Sequence, residues 1–146
     1  MTMWLIFALL ASALWGVTYV LNEKAFEYIS VSTTLAIGLF FGCITMVAIS
    51  LSQGTFLPDI HTLAVSRRAL WLTVAGTATF ILADWLIALS IHEKNATLAS
   101  LVEITYPVFI VAFGFLLFRE LQMNTTIAAG GLLAFVGVAL VYWGSR

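Results

Sequence analysis

Glu103 stands in the middle of an apolar run, NATLASLVEITYPVFIVAFGFLLF, with Pro107 four residues further on. The run is long enough to cross a bilayer as a helix. A charged carboxylate near the bilayer centre costs about 2.5–3.5 kcal/mol on insertion scales, so an acid kept there normally faces a bundle interior or a water-filled cavity. Pro107 has no N–H for the carbonyl of residue 103, and its ring pushes against that turn. A freed carbonyl beside a carboxylate makes a polar spot inside an apolar segment. A second acid, Asp84, lies in the preceding apolar run, with Thr77 and Thr73 on its face at i−7 and i−11.

The depths of the two acids agree. Asp84 is seven residues before Ile91, and Glu103 seven after Ala96, with a tight hairpin between the two runs. At 1.5 Å per residue, both carboxylates sit about 10 Å below the same surface. Trp15 is six residues from the exit of the first run on that side, and Tyr19 is one turn further along. If these faces turn inward, two acids and aromatic surface converge at one level. Like charges in a low-dielectric site do not both ionise easily. At least one acid is therefore expected to exchange a proton, the basic part of a proton-coupled carrier. Three other readings stay open: Asp84 hydrated near an interface, Glu103 accepting a structural hydrogen bond from Tyr19 or a threonine, or both acids attracting a cation.

The chain that must position these groups is 62% hydrophobic and 9% charged. A soluble domain has about 25% charged residues, so this depletion marks an integral membrane protein. The sequence predicts an all-α, polytopic fold, a single domain over 1–146 made of five transmembrane helices at about 3–21, 31–51, 69–91, 96–118 and 126–143. A β-barrel is disfavoured because the runs are continuous and do not alternate. The break at 52–68, SQGTFLPDIHTLAVSRR, reads as the one long loop, with Gly54, Pro58 and Asp59 as turn formers. The first run has an ASA resembling a cleavage site but no basic segment ahead of it, so it reads as a helix rather than a signal peptide. The sequons NAT and NTT abut membrane runs and are short enough to occur by chance.

Small and polar residues form stripes on other runs: Ser12, Trp15, Gly16, Tyr19 and Asn22 in the first, and Thr34, Gly38, Gly42 and Thr45 in the second. For the hydroxyls alone, close helix packing is the favoured reading. A net charge of −1 offers no basic patch for nucleic acid. The single Cys43, with only His61 and His92 beside it in the inventory, argues against a metal site or disulfide framework. No cofactor is expected. An intramembrane enzyme is the weakest class, since the acids have no evident nucleophile or metal partner.

Five crossings put the termini on opposite sides. Arg67, Arg68 and Arg119 then face Lys24, Lys94 and Arg146, three against three. The positive-inside rule gives no preferred orientation. Chance is one reading of the tie. The other is dual topology, with oppositely inserted copies forming an inverted repeat.

The second half resembles the drug/metabolite transporter superfamily, specifically its EamA-like domain. The residues that carry this are AL at 88–89, ASL at 99–101, PV at 107–108, LFREL at 117–121, Gly130 and GV at 137–138, with LWG at 14–16 matching the start of such domains. The resemblance implies a five-helix unit. Full-length members carry two such units in inverted orientation around a substrate path, so this chain looks like a half-size member, pairing as an antiparallel homodimer or with a related five-helix chain. The chain is also distantly similar to the small multidrug resistance family, whose last helix packs the dimer through glycines seven residues apart. Gly130 and Gly137 have that spacing, and Ala134 shares their face. That family's proton-binding glutamate on the first helix is matched here by Ala13, so Asp84 and Glu103 are the groups left for protons.

The function expected is a secondary transporter subunit that exports or exchanges a small metabolite or drug-like solute, in the inner membrane of a prokaryote. Glu103 and Asp84 would bind a proton or cation. Trp15 and Tyr19 would line the path and Pro107 would kink the fourth helix. The alternative is a non-transporting membrane subunit that stabilises or regulates a partner.

Overall fold

The computed structural model describes residues 3–120 and 124–144, without the side chain of residue 127. Arg146 of the charge balance and Leu121 of the LFREL motif lie outside the described residues. All regular structure among the described residues is helical: α1 (Met3–Ala25), α2 (Val31–Ser52), α3 (Phe56–Val65), α4 (Arg67–Glu93), α5 (Ala96–Glu103), α6 (Tyr106–Phe118) and α7 (Thr125–Gly144). Four stretches are long and apolar enough to cross a membrane: Met3–Ala25, Val31–Ser52, Arg67–Glu93 and Ala96–Phe118, the last formed by α5 and α6 together. α7 contributes a shorter apolar helix, Ala128–Gly144. The chain divides into two compact units, residues 1–92 and 93–146.

In the first unit, α1 runs four residues past the expected end at 21, because the polar NEKA segment continues the helix. Lys24 Nζ pairs with Glu27 Oε1 at 2.7 Å across its last turn. Both side chains are exposed, so the pair adds little stability. Ser30 caps α2, accepting the Thr33 N–H at 3.3 Å. Tyr19, Phe26, Val31, Ala88 and Ile91 are the buried side chains of this unit, and they cluster at the C-terminal ends of α1 and α4 and the start of α2. There the edge of one ring meets the face of another, with Phe26 and His92 6.1 Å apart. Elsewhere the large apolar side chains of α1, α2 and α4 are mostly exposed. That is the arrangement expected of helices whose solvent is lipid, where side chains need no burial against protein and the backbone is satisfied within each helix. Trp4 and Trp71 stand exposed within about a turn of the starts of α1 and α4, and Trp143 at the end of α7, the positions of an interfacial aromatic belt.

The stretch expected as a long loop contains α3. Pro58 falls in its first turn, where a missing N–H leaves no helical bond unmade. Asp59 follows in the same turn and complements the positive helix end. Residues that read as turn formers are thus helix starters. Gly54 does make a turn: its φ of +70° ends the α2 segment, and the Gly54 N–H bonds the Leu51 carbonyl at 3.0 Å.

In the second unit, Asn95 caps α5, its Oδ1 accepting the Leu98 N–H at 2.8 Å. Ala96 and Ala99, one helical turn apart, are buried, and α5 packs with α7. α6 ends where Arg119 turns left-handed at φ 60°: the Arg119 N–H bonds the Phe115 carbonyl at 3.0 Å, the Glu120 N–H bonds the Gly114 carbonyl at 3.3 Å, and the Arg119 guanidinium lies 5.4 Å from the Phe115 ring centroid.

Two substitutions test these termini. Gly54→Val forces a β-branched side chain into the left-handed region and should cost about 1–2 kcal/mol, with Gly54→Asn milder. Asn95→Ala should cost about 1 kcal/mol, and Asn95→Asp much less. Reversible unfolding in mixed micelles reads both.

Candidate functional site

The fourth apolar run is interrupted. Instead of the single kinked helix expected over 96–118, α5 stops at Glu103 and α6 begins at Tyr106. Between them Ile104 and Thr105 form a turn. The Ile104 N–H still bonds the Ser100 carbonyl at 3.1 Å, but the Thr105 N–H reaches Val102 at 3.3 Å, a tighter i−3 bond. The Thr105 hydroxyl donates to the same Val102 carbonyl at 3.0 Å, and the Val108 N–H bonds Thr105 at 3.1 Å. Pro107 explains the place. It cannot donate to the Glu103 carbonyl, and it sits in the first turn of α6, where that lack is harmless. Its ring also pushes against the preceding turn, and the chain tightens over two residues before a new helix starts at Tyr106.

The break also divides the residues that one continuous helix would place on the face of Glu103. Ala96, Ala99 and Ser100 remain on its helix, whereas Tyr106, Pro107 and Gly114 belong to α6. Glu103 is partly buried as the last residue of α5, about 10 Å along the axis from Ala96. The end of a helix carries partial negative charge on its last carbonyls. A carboxylate placed there concentrates negative potential at one spot, suited to a proton or cation and unsuited to an anion.

Immediately beyond the break lies an apolar cavity of about 290 Å³. Pro107, Val108 and Val111 of α6 form one wall, and Ala128, Gly131, Leu132 and Phe135 of α7 the other. At Gly131 the helices come close, since a Cβ built there would lie 3.4 Å from Val108 Cγ2. Gly131 is thus the glycine of α7 that the packing of this unit uses. Ala134 is half-buried, whereas Gly130 and Gly137 are open, with no atom within 4 Å of a built Cβ.

In the first unit, Trp15 and Tyr19 stack along one face of α1, ring centroids 5.6 Å apart and tilted by 55°. Tyr19 is 8% exposed and Trp15 46%, so the pair shows one aromatic face outward over a buried anchor. Asp84 is half-buried on α4 and makes no hydrogen bond or ion pair among the described residues. Several hydroxyls of the polar stripes bond back to their own helices: Thr34 to Ser30 at 3.1 Å, Thr45 to Phe41 at 2.8 Å and Ser100 to Thr97 at 3.1 Å. They are satisfied locally, as the packing reading of those stripes requires. Of the residues singled out from the sequence, the structure brings Trp15 and Tyr19 together. Glu103 and Pro107 flank one break, while Asp84 belongs to the other unit. The cavity residues Val108, Val111, Ala128 and Phe135 carry no chemical signal in the sequence. The nearness of Val108 and Val111 to a proline inside an apolar run was the available hint.

No curated protein and no solved structure matches the chain. The family model described as the EamA-like transporter family matches residues 2–143. That match covers nearly the whole sequence, and the apolar helices agree with it in making this an integral membrane protein of a family that moves small solutes. The chain belongs to the EamA-like transporter family.

Proposed function

We propose that this chain is one subunit of a proton-coupled secondary transporter, a single five-span domain that works as an antiparallel dimer in the inner membrane of a prokaryote to export or exchange a small metabolite or drug-like solute. The observation that carries the reading is the break at Ile104–Thr105, inside a segment otherwise apolar enough to span the membrane. Irregular backbone at membrane depth is tolerated where it is buried in protein or lines a water-filled cavity. Discontinuous helices are also what secondary transporters use to build substrate and ion sites, with half-helix C-terminal ends holding the cation or proton.

Glu103, at the C-terminal end of such a half-helix, is the proton-exchanging group. Asp84 is the second acid given this role, because it is a half-buried carboxylate with no bonding partner among the described residues. Trp15 and Tyr19 offer the solute an aromatic surface suited to apolar or cationic groups. Pro107 is the hinge. Gly130 and Gly137, open on α7, allow a second chain to approach closely, with Ala134 beside them. The three-against-three balance of basic residues supports insertion in both orientations.

Glu103 is tested by infrared spectroscopy and by solute flux together. In proteoliposomes, the infrared carbonyl band of a protonated carboxyl should rise and fall with pH, and Glu103→Gln should remove most of it together with pH-dependent solute flux. Unchanged, still pH-dependent flux in that variant would refute the assignment. Pro107→Ala restores a donor to the Glu103 carbonyl. It should raise stability by about 1 kcal/mol and slow transport several-fold.

Orientation has a separate readout. Carboxyl-terminal reporters, each active in one compartment only, should both give signal. One lysine added beside His92–Asn95 should shift the balance toward a single orientation. A single orientation in the native chain would point to a partner chain of opposite bias instead.

A further inference from the structure

α3 packs with α2, and part of its apolar face stays uncovered. Phe56, Leu57, Ile60, Leu63 and Ala64 lie within a sector of about 120° on a helical wheel, and Pro58, Asp59, His61, Thr62 and the terminal Val65 occupy the rest. Phe56 and Leu63 are partly covered, but Leu57 is 73% and Ile60 49% exposed. The chain turns at both ends of α3, at left-handed Gly54 and at extended Ser66 (φ −97°, ψ 104°), so α3 continues neither α2 nor α4. α2 and α4 are each long and apolar enough to cross the membrane. Ser52 and Arg67 therefore emerge at one membrane face, and a helix about 15 Å long between them stays at that face. The apolar phase within reach of Leu57 and Ile60 there is the upper acyl region of the bilayer.

The charges next to α3 fit the same partner. Arg67 and Arg68 occupy the first turn of α4, which contains no acid. Cations are unfavourable at the positive end of a helix. Among the described residues, neither guanidinium makes an ion pair or hydrogen bond. Lipid phosphates at that depth would supply the missing anions, with bidentate geometry available to arginine. Trp71, one turn further and exposed, occupies the level where tryptophans mark a membrane interface.

The geometry points to α3 together with Arg67 and Arg68 as a lipid-binding surface: the helix lies in the headgroup–acyl boundary, its Leu57–Ile60 face among acyl chains, and the two arginines hold anionic headgroups. This surface fixes the level at which α2 and α4 leave the membrane. It is independent of any solute the protein carries.

The test uses the full chain with Cys43→Ala, reconstituted in phosphatidylcholine vesicles with and without phosphatidylglycerol, and a fluorophore on Leu57→Cys or Thr62→Cys. The Leu57 probe should be quenched by lipids brominated high on the acyl chain and shielded several-fold from aqueous iodide, and the Thr62 probe should show the reverse. Brominated phosphatidylglycerol should quench the Leu57 probe more than brominated phosphatidylcholine. Arg67→Gln with Arg68→Gln should lose most of that preference, while the double lysine variant, which keeps the charge, retains most of it and controls for folding. Equal iodide access at both probes would overturn the proposal in favour of a solvated loop. A Leu57 probe shielded from both iodide and brominated lipid would overturn it in favour of a protein cover. An unchanged lipid preference in the glutamine variant would remove the arginines from the surface.

Discussion

Inside a bilayer a backbone polar group has no water to fall back on, so each must find its partner within the protein. Nearly every feature of this chain follows from that rule. The long apolar helices satisfy their own backbones and leave their side chains to lipid, which is why large hydrophobic residues stand exposed along α1, α2 and α4. Hydroxyls in these helices bond back to carbonyls of the preceding turn. The rule is relaxed at one place within the fourth segment, where Pro107 withholds a donor and the helix stops at Glu103.

The consequence is local and chemical. A continuous helix would leave Glu103 as an isolated acid on an apolar cylinder. The break puts it at a helix end, where carbonyl dipoles and a carboxylate act in one direction, next to the apolar cavity between α6 and α7. Polar termini beside an apolar hollow suit a solute with both characters. At Gly131 the absence of a side chain lets α7 approach Val108 of α6 beside that hollow.

Four spans were legible because length and hydropathy dominate in membranes, the fifth run forms a shorter apolar helix, and the helix ends moved by four residues or fewer from the sequence reading. Two things were not legible, and both concern proline. Pro58 with Gly54 and Asp59 looked like turn chemistry, yet proline and an acid are also favoured in a helix's first turn, and the 3–4 spacing of Phe56, Ile60, Leu63 and Ala64 decides for helix. Pro107 was read as a kink. The i−3 bonds of the Thr105 and Val108 amides, to the Val102 and Thr105 carbonyls, tighten the chain at Ile104 and Thr105 and convert the kink into a stop. The aromatic pair on α1 followed directly from its four-residue spacing. The cavity did not, because apolar lining residues look the same in sequence as lipid-facing ones.

The central claim is that Glu103 at the Ile104–Thr105 break exchanges protons, which requires the break to open to water within the membrane. Amide hydrogen exchange of the bilayer-embedded protein tests it most directly, comparing the Ile104, Thr105 and Tyr106 amides with that of Ile44 in the uninterrupted α2. The account predicts exchange at the break orders of magnitude faster than at Ile44, slowed when Pro107 is replaced by alanine. Protection at all three amides equal to that at Ile44 would contradict it.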